Sequence, residues 1–130
     1  MLLSKDQILS ANDIRYMDVE VPEWGGTVRV GTILASERNL YEQSLTTRVG
    51  NRRDVNLQHS HAKLVALCVV DLEGKRVFTE DDVHALSRKS SAAVDRVFDA
   101  AAKLNRISEA DLEELRGNLK PTQTSGSSTS

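Results

Sequence analysis

The chain has one cysteine, two prolines and one tryptophan among its 130 residues. Because Cys68 is the single thiol, no intramolecular disulfide can form, and we expect a reducing compartment. No apolar run approaches the length of a membrane span, and the first residues lack the apolar core of a signal peptide. These absences predict a cytoplasmic protein that has no membrane partner.

Neither sign of charge dominates the sequence. Seventeen Lys and Arg stand against 19 Asp and Glu, which gives a formal net charge of -2. Such a balance supplies no basic field for nucleic acid, so nucleic acid is not expected as a partner. Charged residues make up 28% of the chain and hydrophobic ones 39%, a composition typical of one globular domain at this length.

Motifs for catalysis or cofactor binding are also missing. The glycines are too scattered to form a phosphate-binding loop, and no dinucleotide fingerprint occurs. A zinc site needs converging ligands, whereas His59, His61 and Cys68 would point in different directions on one helix. The carboxylates of residues 80–82 are explained by a helix start. We therefore predict no enzyme activity, catalytic residue, cofactor or metal.

Residues 16–33 predict a β-hairpin. Apolar and polar residues alternate on both sides of a turn, as they do in half-buried strands. Pro22 removes a ladder donor and ends the first strand, while Gly25 and Gly26 permit a tight reversal. Trp24 then sits at the tip of the hairpin.

The rest of the sequence is dominated by helical periodicity and helix caps. Ser4 and Ser10 are candidate caps of a short helical turn. Ser36 and Ser91 are candidate caps of longer helices, and a capping box begins at Thr79. The helix predicted over 56–72 is apolar nearly all round in its second half, which predicts that it lies at the centre. The predicted helices cover about 36–49, 56–72, 79–87, 91–105 and 108–116.

These elements together predict an α+β, mostly α-helical fold. We expect one folded domain over residues 1–117, in which the N-terminal β-hairpin packs on a bundle of about five helices. Residues 118–130 consist largely of Pro, Thr, Gln, Ser and Gly, which cannot bury enough apolar area to offset the entropy of ordering. We expect a disordered, flexible C-terminal tail there.

A helix-turn-helix over residues 81–104 is the alternative interpretation. Ser90, Ser91 and Arg96 would then lie where such motifs contact bases. However, residues 79–119 contain nine acidic and six basic side chains, a net charge of -3. DNA affinity depends mainly on neutralising phosphates, so two packed helices are favoured over a DNA-binding regulator.

Several sequence blocks resemble the tail assembly chaperones of long-tailed, siphovirus-type phages and prophages with actinobacterial hosts. The blocks are VEVPEWGGTVRV at 19–30, the helix start at 36–38, AKLVAL at 62–67, VDLEGKRVFT at 70–79 and VDRVF at 94–98. The resemblance spans roughly residues 3–117, and none of the blocks is a catalytic motif.

This resemblance implies a non-enzymatic morphogenesis factor in the host cell cytoplasm. Proteins of this kind bind the tape measure protein, keep it soluble and help recruit tail tube subunits, and they are absent from the mature virion. A longer frameshifted form would carry the tube-binding portion. Several copies along one client would give avidity, so self-association is a further expectation.

Two aromatic residues are the candidate contacts with a partner. Contacts should be exposed apolar groups that the core does not require, and Trp24 at the hairpin tip fits best because indoles are common interface anchors. Tyr41 is the second candidate. The alternative for Trp24 is that it folds back over the helices as the edge of the core.

Overall fold

The computed structural model describes residues 1–108 and 110–111 of the chain. Five α-helices lie in that part, α1 (Lys5–Ser10), α2 (Ala35–Ser44), α3 (Ser60–Cys68), α4 (Val83–Ser87) and α5 (Ser91–Asn105). The strands are β1 (Tyr16–Val21), β2 (Gly26–Gly31), β3 (Thr46–Val49), β4 (Arg52–Val55) and β5 (Val69–Val70). Short 3-10 turns cover Pro22–Trp24 and Glu80–Asp82. The predicted α+β, mostly helical fold with an N-terminal hairpin is confirmed.

The predicted hairpin forms the larger part of a three-stranded antiparallel sheet in the order β1-β2-β5. Strand β1 ends at Val21, directly before the proline, as predicted. The 3-10 turn follows, and Gly25 adopts a left-handed φ of 75° that an L side chain rarely takes. The inward valines Val21 and Val30 are fully buried against the helices.

Tyr16 lies across two glycines at the start of the sheet. A Cβ atom on Gly31 would lie 3.1 Å from the ring carbons Cδ1 and Cε1 of Tyr16. A Cβ atom on Gly74 would lie 2.7 Å from the Tyr16 hydroxyl, and Gly74 also has a φ of 83°. The ring therefore fills the space that side chains at these two positions would occupy.

The core lies where α3 and α5 pack together beneath the sheet. One face of the helix predicted over 91–105 is buried along α5, and α3 is buried along most of its length. The fully buried large side chains are Leu45, Leu64, Val21, Val30, Val65, Val97 and Cys68.

The helix predicted over 36–49 is too long. Helix α2 ends at Ser44, and residues 46–49 instead pair with residues 52–55 as a second antiparallel hairpin. Thr46, Thr47 and Val49 are β-branched and favour a strand, and Gly50 turns the chain with a φ of 65°. Gly50, which directly follows the predicted helix, therefore lies in a hairpin turn.

The central helix is also shorter than the predicted 56–72. It begins at Ser60, because His59 has a left-handed φ of 64° that interrupts any helix from the preceding residues. It ends at Cys68, because Val69 and Val70 pair with β2 and complete the sheet. The central position of this helix is as predicted.

The other predicted helices keep their places with small changes at their starts. Thr79 forms the predicted capping box with Asp82, but the first turn is 3-10 and only residues 83–87 are α-helical. Helix α5 has the predicted bounds, although its cap is Ser90 rather than Ser91. Ser4 caps α1.

Ser108 and Asp111 form reciprocal capping hydrogen bonds at the start of the predicted last helix. The rest of that helix and the predicted tail lie outside the described residues.

The side chain of Asn105 connects the end of α5 to the sheet. Its carbonyl oxygen accepts a hydrogen bond from the backbone N–H of Ile33 at 2.9 Å. Its amide nitrogen lies 3.3 Å from the carbonyl of Gly31, 3.0 Å from that of Ala101 and 3.5 Å from the Cys68 sulfur. One side chain thus satisfies backbone groups of the segment that links β2 to α2.

We expect Asn105→Ala to lower the free energy of unfolding by about 2–3 kcal/mol, because it leaves partly buried backbone groups without partners. Urea unfolding followed by circular dichroism measures the change. Asn39→Ala, an exposed position on α2, is the matched control and should change the midpoint little. Equal midpoints for the two variants would contradict the structural role of Asn105.

Candidate partner-binding surface

An open groove lies between α2 on one side and the Glu80–Asp82 turn with α4 on the other. Helix α3 forms the floor of this groove. The groove has a volume of about 510 Å³. Much of the lining is apolar, and Leu40 on the α2 wall is 62% exposed. The lining residues define the α2–α4 groove as Glu37, Leu40, Tyr41, Ser44, His59, Lys63, Ala66, Leu67, Arg76, Glu80, Asp81, Val83 and His84.

Charged groups of both signs surround the apolar lining. Glu80 and Asp81 are exposed on the α4 side, and neither forms an ion pair within the described part of the chain. Lys63 lies on the α3 side, where its Nζ donates to the Ser44 carbonyl at 2.9 Å. An apolar floor with a charged rim suits the apolar face of an amphipathic helix.

Tyr41 is a buried part of this groove rather than an exposed contact. It is 3% exposed, and its hydroxyl donates to the backbone carbonyl of Ser60 at 3.1 Å. The expectation that Tyr41 is exposed is therefore wrong. Its neighbour Leu40 takes the solvent-facing position, and sequence analysis did not single it out because both residues fit an apolar stripe of α2.

Trp24 is half-buried and packs against the core cluster. It lines a depression of about 240 Å³ together with Phe78, Ala85 and Leu86. This position matches the alternative in which the indole folds back as the edge of the core. Whether its remaining exposed surface contacts a partner stays a prediction.

Arg96 on α5 forms an ion pair with Glu23 in the turn between β1 and β2. Its Nε and one terminal nitrogen donate to the two carboxylate oxygens of Glu23 at 3.2 and 3.0 Å. These hydrogen bonds lower the pKa of Glu23. Arg96, which a helix-turn-helix would use for base contacts, thus forms an ion pair with another residue of the same chain. This pairing argues against the helix-turn-helix alternative.

His61 and Cys68 lie in different surroundings. His61 Nδ1 is 2.8 Å from Asp95 Oδ1, and its ring stacks on Phe98 with centroids 3.8 Å apart. Cys68 is buried, and desolvation raises the pKa of its thiol to about 12. Such a thiol stays protonated and does not act as a nucleophile at neutral pH.

Residues 1–108 and 110–111 contain no group of three or more His, Cys, Asp or Glu side chains that could hold a metal ion. Among the helices of the same residues, none is both long and apolar enough to cross a membrane.

A family model described as phage tail assembly chaperone matches residues 5–117. The chain belongs to the phage tail assembly chaperone family. The expected resemblance to phage tail assembly chaperones is thereby confirmed, and a chaperone role is a non-enzymatic one. Phage tail proteins are the general class of partner for this family of chaperones.

A solved structure supports the same fold. The chain is similar to the tail assembly chaperone of bacteriophage HK97, with a TM-score of 0.54 and 18% sequence identity. The similarity covers 79% of this chaperone and 94% of the HK97 chain. The search of curated proteins finds no match.

We expect Trp24→Ala to lower the free energy of unfolding by about 2 kcal/mol, because truncating a half-buried aromatic exposes the apolar groups beneath it. Urea unfolding measures the change, and Leu72→Ala at a fully exposed turn position is the control. A midpoint equal to that of the control would show that the indole does not contribute to the core.

The raised thiol pKa predicts how stability changes at alkaline pH. The thiol of the unfolded chain ionises near its ordinary value of 9.0, whereas the folded thiol stays protonated up to about 12. The unfolded state therefore binds fewer protons in this window, and stability falls as pH rises through it.

Urea unfolding at about pH 8 and about pH 10.5 tests this effect. We expect the wild-type chain to lose more stability between the two conditions than Cys68→Ala, which lacks the titrating group. An equal loss in both proteins would contradict the buried, neutral state of the thiol.

Proposed function

We propose that this chaperone binds the tape measure protein of a long-tailed, siphovirus-type phage or prophage with an actinobacterial host. It keeps this client soluble in the host cytoplasm, helps recruit tail tube subunits and is absent from the mature virion. Family membership restricts the role to tail assembly. The observation that carries the proposal is the open α2–α4 groove, whose lining presents the exposed apolar side chain of Leu40 together with Leu67 and Val83.

The groove suits a long helical client. An amphipathic helix presents apolar side chains at positions i, i+3 or i+4, and i+7, and these can lie along the lining between α2 and α4. Leu40 is the anchor on the wall, because 62% of it is accessible before binding and becomes buried when the client docks. Many copies along one client then supply avidity from individually weak sites.

The two aromatic residues have different parts in this proposal. Tyr41 supports the α2 wall of the groove, since its buried hydroxyl donates to the Ser60 carbonyl and so joins α2 to the start of α3. Trp24 remains the candidate for a second contact at the depression beside Leu86. Recruitment of tube subunits through a longer frameshifted form, and self-association of several copies, are supported by the sequence resemblance alone.

Leu40→Glu tests the groove directly. A carboxylate at this position would have to be buried against the apolar client face, so we expect affinity for a tape measure fragment to fall about 10-fold or more. Co-expression of the fragment with each variant, followed by quantification of the soluble client, measures the effect. Leu72→Glu introduces the same charge at an exposed site outside the groove and is the matched control.

Soluble client with the wild-type chain and with Leu72→Glu, but not with Leu40→Glu, supports both the client and the site. Loss of soluble client with both variants would contradict the assignment to the groove. Failure of the wild-type chain to solubilise any tape measure fragment would overturn the proposed client.

A further inference from the structure

A second cavity lies where helices α3 and α5 begin. The end of α4 and the turn that follows it complete the wall of this cavity, which has a volume of about 360 Å³. It shares only His59 with the lining of the α2–α4 groove. The lining residues define the α3–α5 cavity as Leu57, His59, Ser60, His61, Ala62, Ser87, Lys89, Ser91, Val94 and Asp95.

Two buried hydrogen-bond donors of α3 belong to the lining and have no acceptor within the described part of the chain. Ser60 is 7% exposed, and its side-chain hydroxyl forms no hydrogen bond there. Ala62 is 2% exposed, and its backbone N–H forms none either. Buried polar groups in folded proteins are nearly always paired. An acceptor that enters the cavity would satisfy both donors.

The N-terminal ends of both helices face the α3–α5 cavity. The N-cap of α3 is His59, whose side chain makes no capping hydrogen bond. Ser90 caps α5 through the N–H of Ala93, but the backbone N–H groups of Ser91 and Ala92 have no acceptor within the described residues. Backbone N–H groups at a helix start carry a positive partial charge and favour an anion.

The charged side chains of the lining leave one cation without a partner. The ammonium group of Lys89 forms no ion pair and no hydrogen bond within residues 1–108 and 110–111. Among the lining residues, Asp95 alone carries a carboxylate, and its Oδ1 lies 2.8 Å from Nδ1 of His61. The carboxylate therefore has a partner within the chain, whereas the ammonium group is available to a ligand.

We propose that the α3–α5 cavity binds a phosphate group. The phosphate oxygens accept from the Ser60 hydroxyl and the Ala62 N–H on α3 and from the first N–H groups of α5, and Lys89 supplies the opposite charge. Phosphate oxygens point in several directions, so donors of two helices can reach the same group, whereas the two oxygens of a carboxylate lie in one plane. Two helix starts form this site without a glycine-rich loop, so no phosphate-binding motif is visible in the sequence.

A titration of the full-length chain with sodium phosphate tests the site. Ionic strength is held constant with sodium chloride, and the backbone amide signals of Ala62 and Ser91 are followed by NMR. We expect saturable shifts of both signals, and an affinity about 10-fold lower in Ser60→Ala and in Lys89→Gln. Arg88→Gln removes the same charge from an adjacent exposed residue outside the cavity. This matched control should bind phosphate as the wild-type chain does.

Thermal unfolding separates loss of the site from damage to the fold. Without phosphate, Ser60→Ala should unfold at the wild-type temperature or above it, because the hydroxyl that it removes has no partner. Saturating phosphate should raise the midpoint of the wild-type chain and of Arg88→Gln more than that of Ser60→Ala, since a ligand stabilises only a fold that binds it.

Adenosine monophosphate, titrated in the same way, distinguishes two sources of the phosphate group. Tighter binding of this probe than of inorganic phosphate at the same amides would assign the site to a phosphate ester, because the cavity is large enough for a small organic molecule. Equal or weaker binding would assign it to the free ion.

Three results would overturn the proposal. They are the absence of saturable binding of either probe, wild-type affinity in Ser60→Ala or Lys89→Gln, and identical shifts with sodium chloride alone. Solubilisation of the tape measure fragment is measured separately, so the phosphate site and the proposed client stand or fall independently.

Discussion

The side-chain amide of Asn105 holds together segments that are far apart in the sequence. It accepts from Ile33, donates toward Gly31 and Ala101, and lies next to the Cys68 sulfur. The backbone carbonyl of the same residue accepts from the Arg38 guanidinium on α2 at 3.1 Å. The end of α5 therefore fixes the exit of β2 and the start of α2 at one point. Because α2 is a wall of the α2–α4 groove, the geometry of the groove depends on this polar contact.

The groove joins features that suit a chaperone better than an enzyme. Its anchor Leu40 is exposed and apolar, while its charged rim contains carboxylates and cations at separate positions. Exposed charges of this kind guide orientation and register more than they add affinity. In the proposed function, modest affinity lets the groove release its client when assembly is complete, while repeated sites along a long helix retain the client until then.

Sequence correctly predicted the helices and strands in which one spacing of apolar residues extends over the whole element. The alternation around Pro22 located the first hairpin, and the apolar stripe after Ser91 located α5 with its bounds. The second hairpin was missed because residues 46–49 continue the apolar spacing of α2. The start of α3 was placed too early because the left-handed conformation of His59 has no signature in side-chain pattern. The spacing of apolar residues does not show that the helix is interrupted at this residue.

The sequence allowed the residue types of the candidate surface to be predicted, but not which side chains are exposed there. Sequence indicated apolar contacts without catalytic groups, but it could not decide which of two adjacent residues faces outward. Tyr41 is buried because its hydroxyl finds the Ser60 carbonyl, a contact between residues 19 positions apart. Rotating α2 to satisfy that bond leaves Leu40 on the outside. The Asn105 contacts were equally invisible, since their partners lie as many as 74 positions away.

The packing of Tyr16 over Gly31 and Gly74 has a consequence for how this family can diverge. The ring occupies the volume of two missing side chains, so the three positions share one fixed amount of space. A larger residue at position 31 becomes tolerable only after the ring at position 16 has been lost or has moved. Among related chaperones an aromatic ring at position 16 should covary with glycine at position 31, and the order of the substitutions is constrained in evolution.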